Sequence, residues 1–208
     1  AIDNILVVGE PRGQTRIFFA ENFDALPLGP NADETLDQAE AWTDNPPAGW
    51  SIENLSMPGE GDPSQGVEEW EGWSFTDPVW WAAVAGDQRR SEFTRGSGVV
   101  AVADPDEWDD LGDPELLGDY ETVLSTPAID LTPIRPGTMT LRFDSSWRPE
   151  DFQRVTLVAE FTSGEEVTLL DWDSRPGPAF KPDATNEAVE LGVPHAGSGS
   201  VRFRFGMF

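Results

Sequence analysis

The stretch from Leu124 to Trp147, LSTPAIDLTPIRPGTMTLRFDSSW, carries the reading of the fold. Its second half alternates: Met139, Leu141 and Phe143 point one way, and Thr140, Arg142 and Asp144 point the other. A period of two sustained over these six residues marks a strand with one buried face. The first half is a short apolar segment broken by Pro127, Pro133 and Pro136, with Pro136-Gly137 turning the chain. Proline removes a ladder donor, so this half is expected at a sheet edge, ahead of a corner and a central strand.

Other segments repeat the pattern on either side. Ala1 to Val8 (AIDNILVV) is a compact apolar strand, and Ile17-Phe18-Phe19 begins a second one. Gly98 to Ala103 is a short buried strand. Val155, Leu157, Ala159 and Phe161 alternate, turn at Ser163-Gly164 and return through Val167 to Trp172, which predicts a hairpin. Val201, Phe203, Phe205 and Met207 share one face of the last strand, opposite Arg202 and Arg204. Glu34 to Trp42 is expected to hold one short helical turn. Residues 55–92 read as a long acidic excursion carrying structure of its own. Many short strands, 20 Gly, 18 Pro and no strong amphipathic helix predict an all-β, two-sheet jelly-roll sandwich with long acidic, Trp-containing loops.

Charge bounds the function. Thirty-nine Asp and Glu face 13 basic residues, a net of −26, and Lys181 is the sole lysine. Phosphate backbones and anionic membrane surfaces are repelled by such a field, so neither nucleic-acid binding nor membrane insertion is expected. The charge suits salty, divalent-rich water, where Ca²⁺ relieves it locally. Cysteine is absent, which removes disulfides and thiolate chemistry. No signal peptide and no run of 18 apolar residues appears, so Ala1 is read either as a processed terminus or as the start of a piece of something longer.

The order of short motifs resembles a known family. Phe19-Ala-Glu-Asn-Phe-Asp24, Pro47-Ala-Gly-Trp50, Gly98-Val-Val-Ala-Val-Ala-Asp104, Leu124-Ser-Thr-Pro-Ala-Ile-Asp-Leu131 and Leu141-Arg-Phe-Asp-Ser-Ser-Trp147 follow one another as in MAM-like jelly-roll modules. These include the cleaved-adhesin domains of gingipains and choice-of-anchor J domains. The resemblance spans most of residues 17–208 and implies a secreted or cell-surface, Ca²⁺-stabilised, non-catalytic module for adhesion or carbohydrate contact. By the same resemblance Asp3, Glu21, Asp24 and Asp104 are the candidate metal ligands, with carbonyls completing the shell. The plainer reading makes them solvated turn acids.

One feature departs from the family. There, a strand like Ala1-Ile-Asp-Asn-Ile5 comes last, after one like Val201 to Phe208; here it comes first. This divides the chain into an N-terminal strand (1–9), a linker (10–16) and the sandwich (17–208), which would be a strand short. Residues Ile2, Ile5, Leu6, Val7 and Val8 can fold back onto their own domain, belong to a preceding repeat of a tandem array, or be donated to another copy in a filament. Residues 9–14 reach at most ~20 Å, which limits the first placement and permits the third.

Trp70, Trp73, Trp80, Trp81 and Trp108 lie in acidic loops and are candidate sugar platforms, against the plainer reading that they fill a small loop core. Trp50 and Trp147 are assigned to the main core. Arg89, Arg90 and Arg95 are expected to pair with nearby acids. His195 is the single histidine, in a Pro-His-Ala-Gly loop, and no G-x-S-x-G elbow accompanies it. No catalytic residue is therefore assigned, although a carboxylate pair of the glycosidase kind is invisible in sequence. The leading reading is a subunit or repeat of an adhesive assembly. The alternative is a carbohydrate-binding module of a polysaccharide-degrading enzyme.

Overall fold

The computed structural model describes residues 1–29, 41–57, 66–111, 119–150, 152–195 and 197–208. Its strands in chain order are β1 (Ile2–Gly9), β2 (Arg16–Glu21), β3 (Trp42–Thr43), β4 (Ser51–Asn54), β5 (Ser74–Thr76), β6 (Val100–Val102), β7 (Thr122–Ser125), β8 (Ile129–Asp130), β9 (Thr140–Trp147), β10 (Arg154–Phe161), β11 (Glu166–Asp173), β12 (Ala184–Gly192) and β13 (Ser200–Met207). Two short helices interrupt them, α1 (Pro78–Val84) and α2 (Pro105–Trp108). The strands form two antiparallel sheets packed as a sandwich. One runs β12-β9-β1-β6-β5-β3, with β2 beside β1; the other runs β11-β10-β13-β7-β4, with β8 beside β13.

The segment Leu124–Trp147 crosses between the sheets. β7 belongs to the second, the Pro-rich corner carries β8, and β9 sits centrally in the first between β12 and β1. Leu141, Phe143, Ser145 and Trp147 are buried along β9, as its alternation requires. The β10–β11 hairpin pairs Leu157 with Leu170, and β13 buries Val201, Phe203, Phe205 and Met207.

β1 is the strand whose partner sequence reading left open. It pairs antiparallel with β9 along one edge; the other edge is shared end to end by β6, at Ile2, and β2, from Ile5 to Gly9. The strand therefore completes a sheet of its own chain. The short reach of the linker does not hinder this placement, because residues 10–15 join β1 to β2 as a hairpin connection and β2 is β1's direct neighbour. A bulge at Asn4 (φ 53°) shifts the phase, so that Ile2, Ile5 and Val7 all enter the core.

The described residues form two cores. The main one lies between the sheets and contains Ile5, Val7, Phe23, Trp50, Trp73, Leu141, Leu157 and Phe203. The second covers the outer face of β6 and β3 with Trp70, Trp80, Trp81, Phe93, Trp108 and Tyr120. β6 separates them, sending Ala101 to the first and Val100 and Val102 to the second, so its run of small apolar residues is buried on both faces. Trp147 joins the second core instead of the first.

Part of the 55–92 excursion builds this second core. It contains β5 and α1, whose Asp77 carboxylate caps the amides of Val79 and Trp80 at 2.8 and 3.0 Å with Pro78 at the first helical position. Of the turn expected at Glu34–Trp42, residues 34–40 lie outside the described residues, and Trp42 is in β3.

Candidate functional site

The bulge in β1 creates an acidic corner where β1, β2, β6 and β9 meet. Asp3 is fully buried there. One carboxylate oxygen accepts the Asn4 amide (2.7 Å); the other accepts Asn4 Nδ2 (3.2 Å) and the Ser97 amide (3.1 Å). Asn4 Nδ2 also lies 3.1 Å from Asp144, whose second oxygen pairs with Arg95 at 3.2 Å. Asp24 accepts the Val99 amide at 3.0 Å and Asn22 Nδ2 at 2.7 Å. Glu21 accepts the amides of Asn22 and Phe23, closing the turn after β2.

Gly98 is required beside this corner. Its φ is +67°, and a Cβ there would lie 1.9 Å from an Asp24 carboxylate oxygen. Burial pushes the Asp3 carboxyl up to about 6, and the negative charges of Asp24 and Asp144 add to the rise, while the Ser97 and Asn4 amides oppose it. Among the described residues no ion pair reaches Asp3, Asp24 or Glu21, and no group of three or more Asp, Glu or His side chains has the arrangement of a metal site.

Asp104 is not part of this corner. It belongs to a buried network around Arg90, whose guanidinium grips both Asp104 oxygens (2.8 and 3.0 Å), reaches Asp106 (3.1 Å) and Glu107 (2.9 Å), and donates to the Ala85 carbonyl. The Trp81 indole N–H donates to Asp104 at 2.8 Å, and Arg90 lies over the Trp81 ring. A carboxylate spent on a bidentate guanidinium and an indole is not available as a calcium ligand, which corrects the expectation for Asp104. Burial pushes Glu107 up to about 7; Arg90 opposes the rise, and Asp104, Asp110 and Asp106 reinforce it.

The candidate sugar platforms are also corrected. Trp70, Trp73, Trp80, Trp81 and Trp108 each show 7% or less of their surface, so none offers an open face for a sugar ring. Trp73 donates to the Phe205 carbonyl inside the main core, and the other four build the second. The exposed aromatic side chains are Phe152 (76%) and Phe180 (51%). Phe152 stands in an open cleft of ≈ 600 Å³ with Tyr120, Asp109, Glu150, Arg154 and Phe208. A smaller cavity of ≈ 70 Å³ opens between the sheets, among Phe143, Trp147, Leu157, Leu170, Trp172 and Phe205.

The Arg90 network escaped sequence reading. Its only trace was Arg89-Arg90 followed by the acidic run from Asp104, in a chain where 39 acids stand against 13 bases. Arg89 pairs with Glu92 and Asp183, and Arg95 with Asp144, as neighbouring charges led one to expect. His195 sits in its loop accepting the Gly197 amide on Nδ1, with burial lowering its pKa. Compared with known protein families, characterised proteins and solved structures, the chain matches none.

Proposed function

We propose that this chain is a non-catalytic β-sandwich module of a secreted adhesive or filamentous surface assembly, stabilised by Ca²⁺ at the corner between β1, β2, β6 and β9. The observation that carries the reading is Asp3: a fully buried carboxylate, pushed up in pKa with Asp24 and Asp144 contributing, and without an ion-pair partner among the described residues. A hard divalent cation relieves that repulsion, and the donors on hand are the oxygens it prefers. Asp3 and Asp24 would hold it, with Glu21 and main-chain carbonyls in support; Asp104 is not in the set.

β1 already fills a slot in its own sheet, where Ile5 and Val7 are fully buried. Copies or tandem repeats would therefore join by exchanging this strand, and the closed module is the resting form. The experiment is a thermal melt in chelator, then with Ca²⁺ and with Mg²⁺ restored. Ca²⁺ alone should raise Tm; identical melts in chelator and Ca²⁺ overturn the calcium reading. Size-exclusion of the wild type at rising concentration, after partial denaturation and refolding, should yield dimers if strands exchange. Monomer alone overturns the joining reading.

A second reading, carbohydrate binding, rests on Phe152, the one strongly exposed aromatic ring in the larger cleft. Glycan binding lost in Phe152→Ala would support it, and an array blank for the wild type would end it.

A further inference from the structure

We propose that the Arg12–Gly13 peptide bond, in the connection between β1 and β2, is a processing site for an arginine-specific endopeptidase, and that the cut chain keeps β1 seated as a separate strand. The proposal goes beyond the reading above and depends neither on calcium nor on the joining of copies.

A protease specific for basic residues needs a side chain that can enter its acidic pocket and a backbone that can be drawn out as an extended strand. The chain has 13 basic residues, all of them described, and every one but Arg12 fails one of these conditions. Arg135, Arg148, Arg175 and Lys181 are each followed by proline, whose ring nitrogen has no N–H and a locked φ, so the bond after them is a poor substrate. Arg142, Arg154, Arg202 and Arg204 lie in β9, β10 and β13, strands paired along both edges. Arg90 is buried against its carboxylates, and Arg89 is held by Glu92 and Asp183. Arg95 has its amide on Asn186 Oδ1 (2.8 Å), its carbonyl on Asn4 Nδ2 (3.3 Å) and its guanidinium on Asp144 (3.2 Å). Arg16 opens β2, and a cut after it requires Arg16 and Ile17 to leave Gly9 and Val8.

Arg12 meets both conditions. The connection is anchored at its start, where the Glu10 amide donates to Thr138 Oγ1 (3.1 Å), the Glu10 carbonyl accepts the Arg135 amide (3.0 Å) and the carboxylate pairs with the Arg135 guanidinium. Past that anchor, Arg12 to Thr15 are exposed, and among the described residues neither Arg12 nor Gly13 makes a hydrogen bond or ion pair. A Cβ built on Gly13 would meet nothing within 4 Å, so the bond stands clear of the molecule, in the kind of loop tip where nicking concentrates. In the cut, water adds across the amide. The C–N bond breaks, the water oxygen joins the Arg12 carbonyl carbon as a carboxylate, and both water hydrogens go to the Gly13 nitrogen, which leaves as an ammonium. The pairing of β1 is untouched: it keeps its register with β9, and with β2 from Ile5 to Gly9, while Ile5 and Val7 stay fully buried. Only the tether is lost, so departure and return of β1 become dissociation and association of two pieces.

The test digests the native wild-type chain with trypsin at a low protease ratio and reads early time points by intact mass. The first products should be residues 1–12 and 13–208, recovered in one size-exclusion peak, with a Tm that rises with protein concentration more steeply than that of the uncut chain. Arg12→Gln, at an exposed side chain, should melt as wild type does and lose its first cut at least ten-fold in rate. No early cut, a first cut after any other basic residue, or an undiminished rate of first cleavage in Arg12→Gln overturns the processing site. Pieces that separate on the column, or a cut chain whose Tm is independent of concentration, overturn the seated strand.

Discussion

Replacing Glu107 by Gln should stabilise this protein above neutral pH and leave it unchanged in acid. Glu107 is almost wholly buried, lies 2.9 Å from Arg90, and is raised from 4.5 to about 7. Because the folded-state value exceeds the unfolded one, the fold holds this proton more tightly than the unfolded chain does. The contribution of Glu107 to stability is therefore fully present below pH ~4.5 and is lost as pH rises through ~7. The shift is 7 − 4.5, or about 2.5 units, and at 1.36 kcal/mol per unit the ionised side chain costs the fold about 3 kcal/mol above pH 7. Gln keeps an oxygen for Arg90 and carries no charge against Asp104, Asp106 and Asp110. For a chain of this size about 3 kcal/mol corresponds to roughly 6–12 °C in Tm. Urea unfolding at pH 4.5, 6 and 8, at one fixed calcium level, measures it. Asp3, raised to about 6, adds a slope of the same sign, and the buried Ala1 ammonium, lowered from 8.0 to about 5, adds one of opposite sign between those values, so Glu107 is isolated by the difference between variant and wild type at each pH. A Glu107→Gln protein less stable than wild type at pH 8, or one whose difference from wild type is the same at pH 4.5 and 8, refutes the reasoning.

Three further outcomes are expected. Arg90→Met leaves Asp104, Asp106 and Glu107 buried without their cation and should cost about 3–5 kcal/mol in urea unfolding, whereas a loss below 1 kcal/mol would mean that water reaches the network. Raising NaCl from about 0.05 to 1 M shortens the screening length from more than 10 Å to ~3 Å, and the net charge of −26 then makes Tm rise; a flat or falling Tm contradicts uncompensated repulsion. Gly98→Ala forces a Cβ into Asp24 at φ +67° and should cost about 2 kcal/mol or more in thermal melts, where an unchanged Tm would show that the corner tolerates displacement.

Much of the fold was legible because strand periodicity is a local property. Met139 to Trp147, Val155 to Phe161 and Val201 to Met207 declare a buried face by alternation, and each became a strand of the expected span. Pairing is not local. That Ala1 to Val8 is a strand could be read from its residues, but not that β9 and β2 flank it, since the bulge at Asn4 resets the phase only once neighbours are present.

The tryptophans show a second limit. An indole in an acidic loop suits a sugar face and a private core equally well, and Trp70 and Trp80 packing on one another at 5.9 Å is a fact of tertiary structure. The acids show a third. Asp3 and Asp104 look alike in sequence, yet one is buried among carboxylates and the other is gripped by Arg90, 14 residues earlier. Asp77-Pro78 is a helix-start signal in the sequence, but the apolar run behind it is only two turns long and so carries little helical periodicity.

Whether Ca²⁺ occupies the β1 corner is decided by calorimetric titration of Ca²⁺ into the chelator-treated protein, with Asp3→Asn and Asp24→Asn titrated in parallel. Saturable binding to the wild type is expected at one ion per chain, weakened at least ten-fold in each variant and accompanied by a rise in wild-type Tm. No binding heat and no change in Tm for the wild type, or undiminished binding in both variants, would contradict that occupancy.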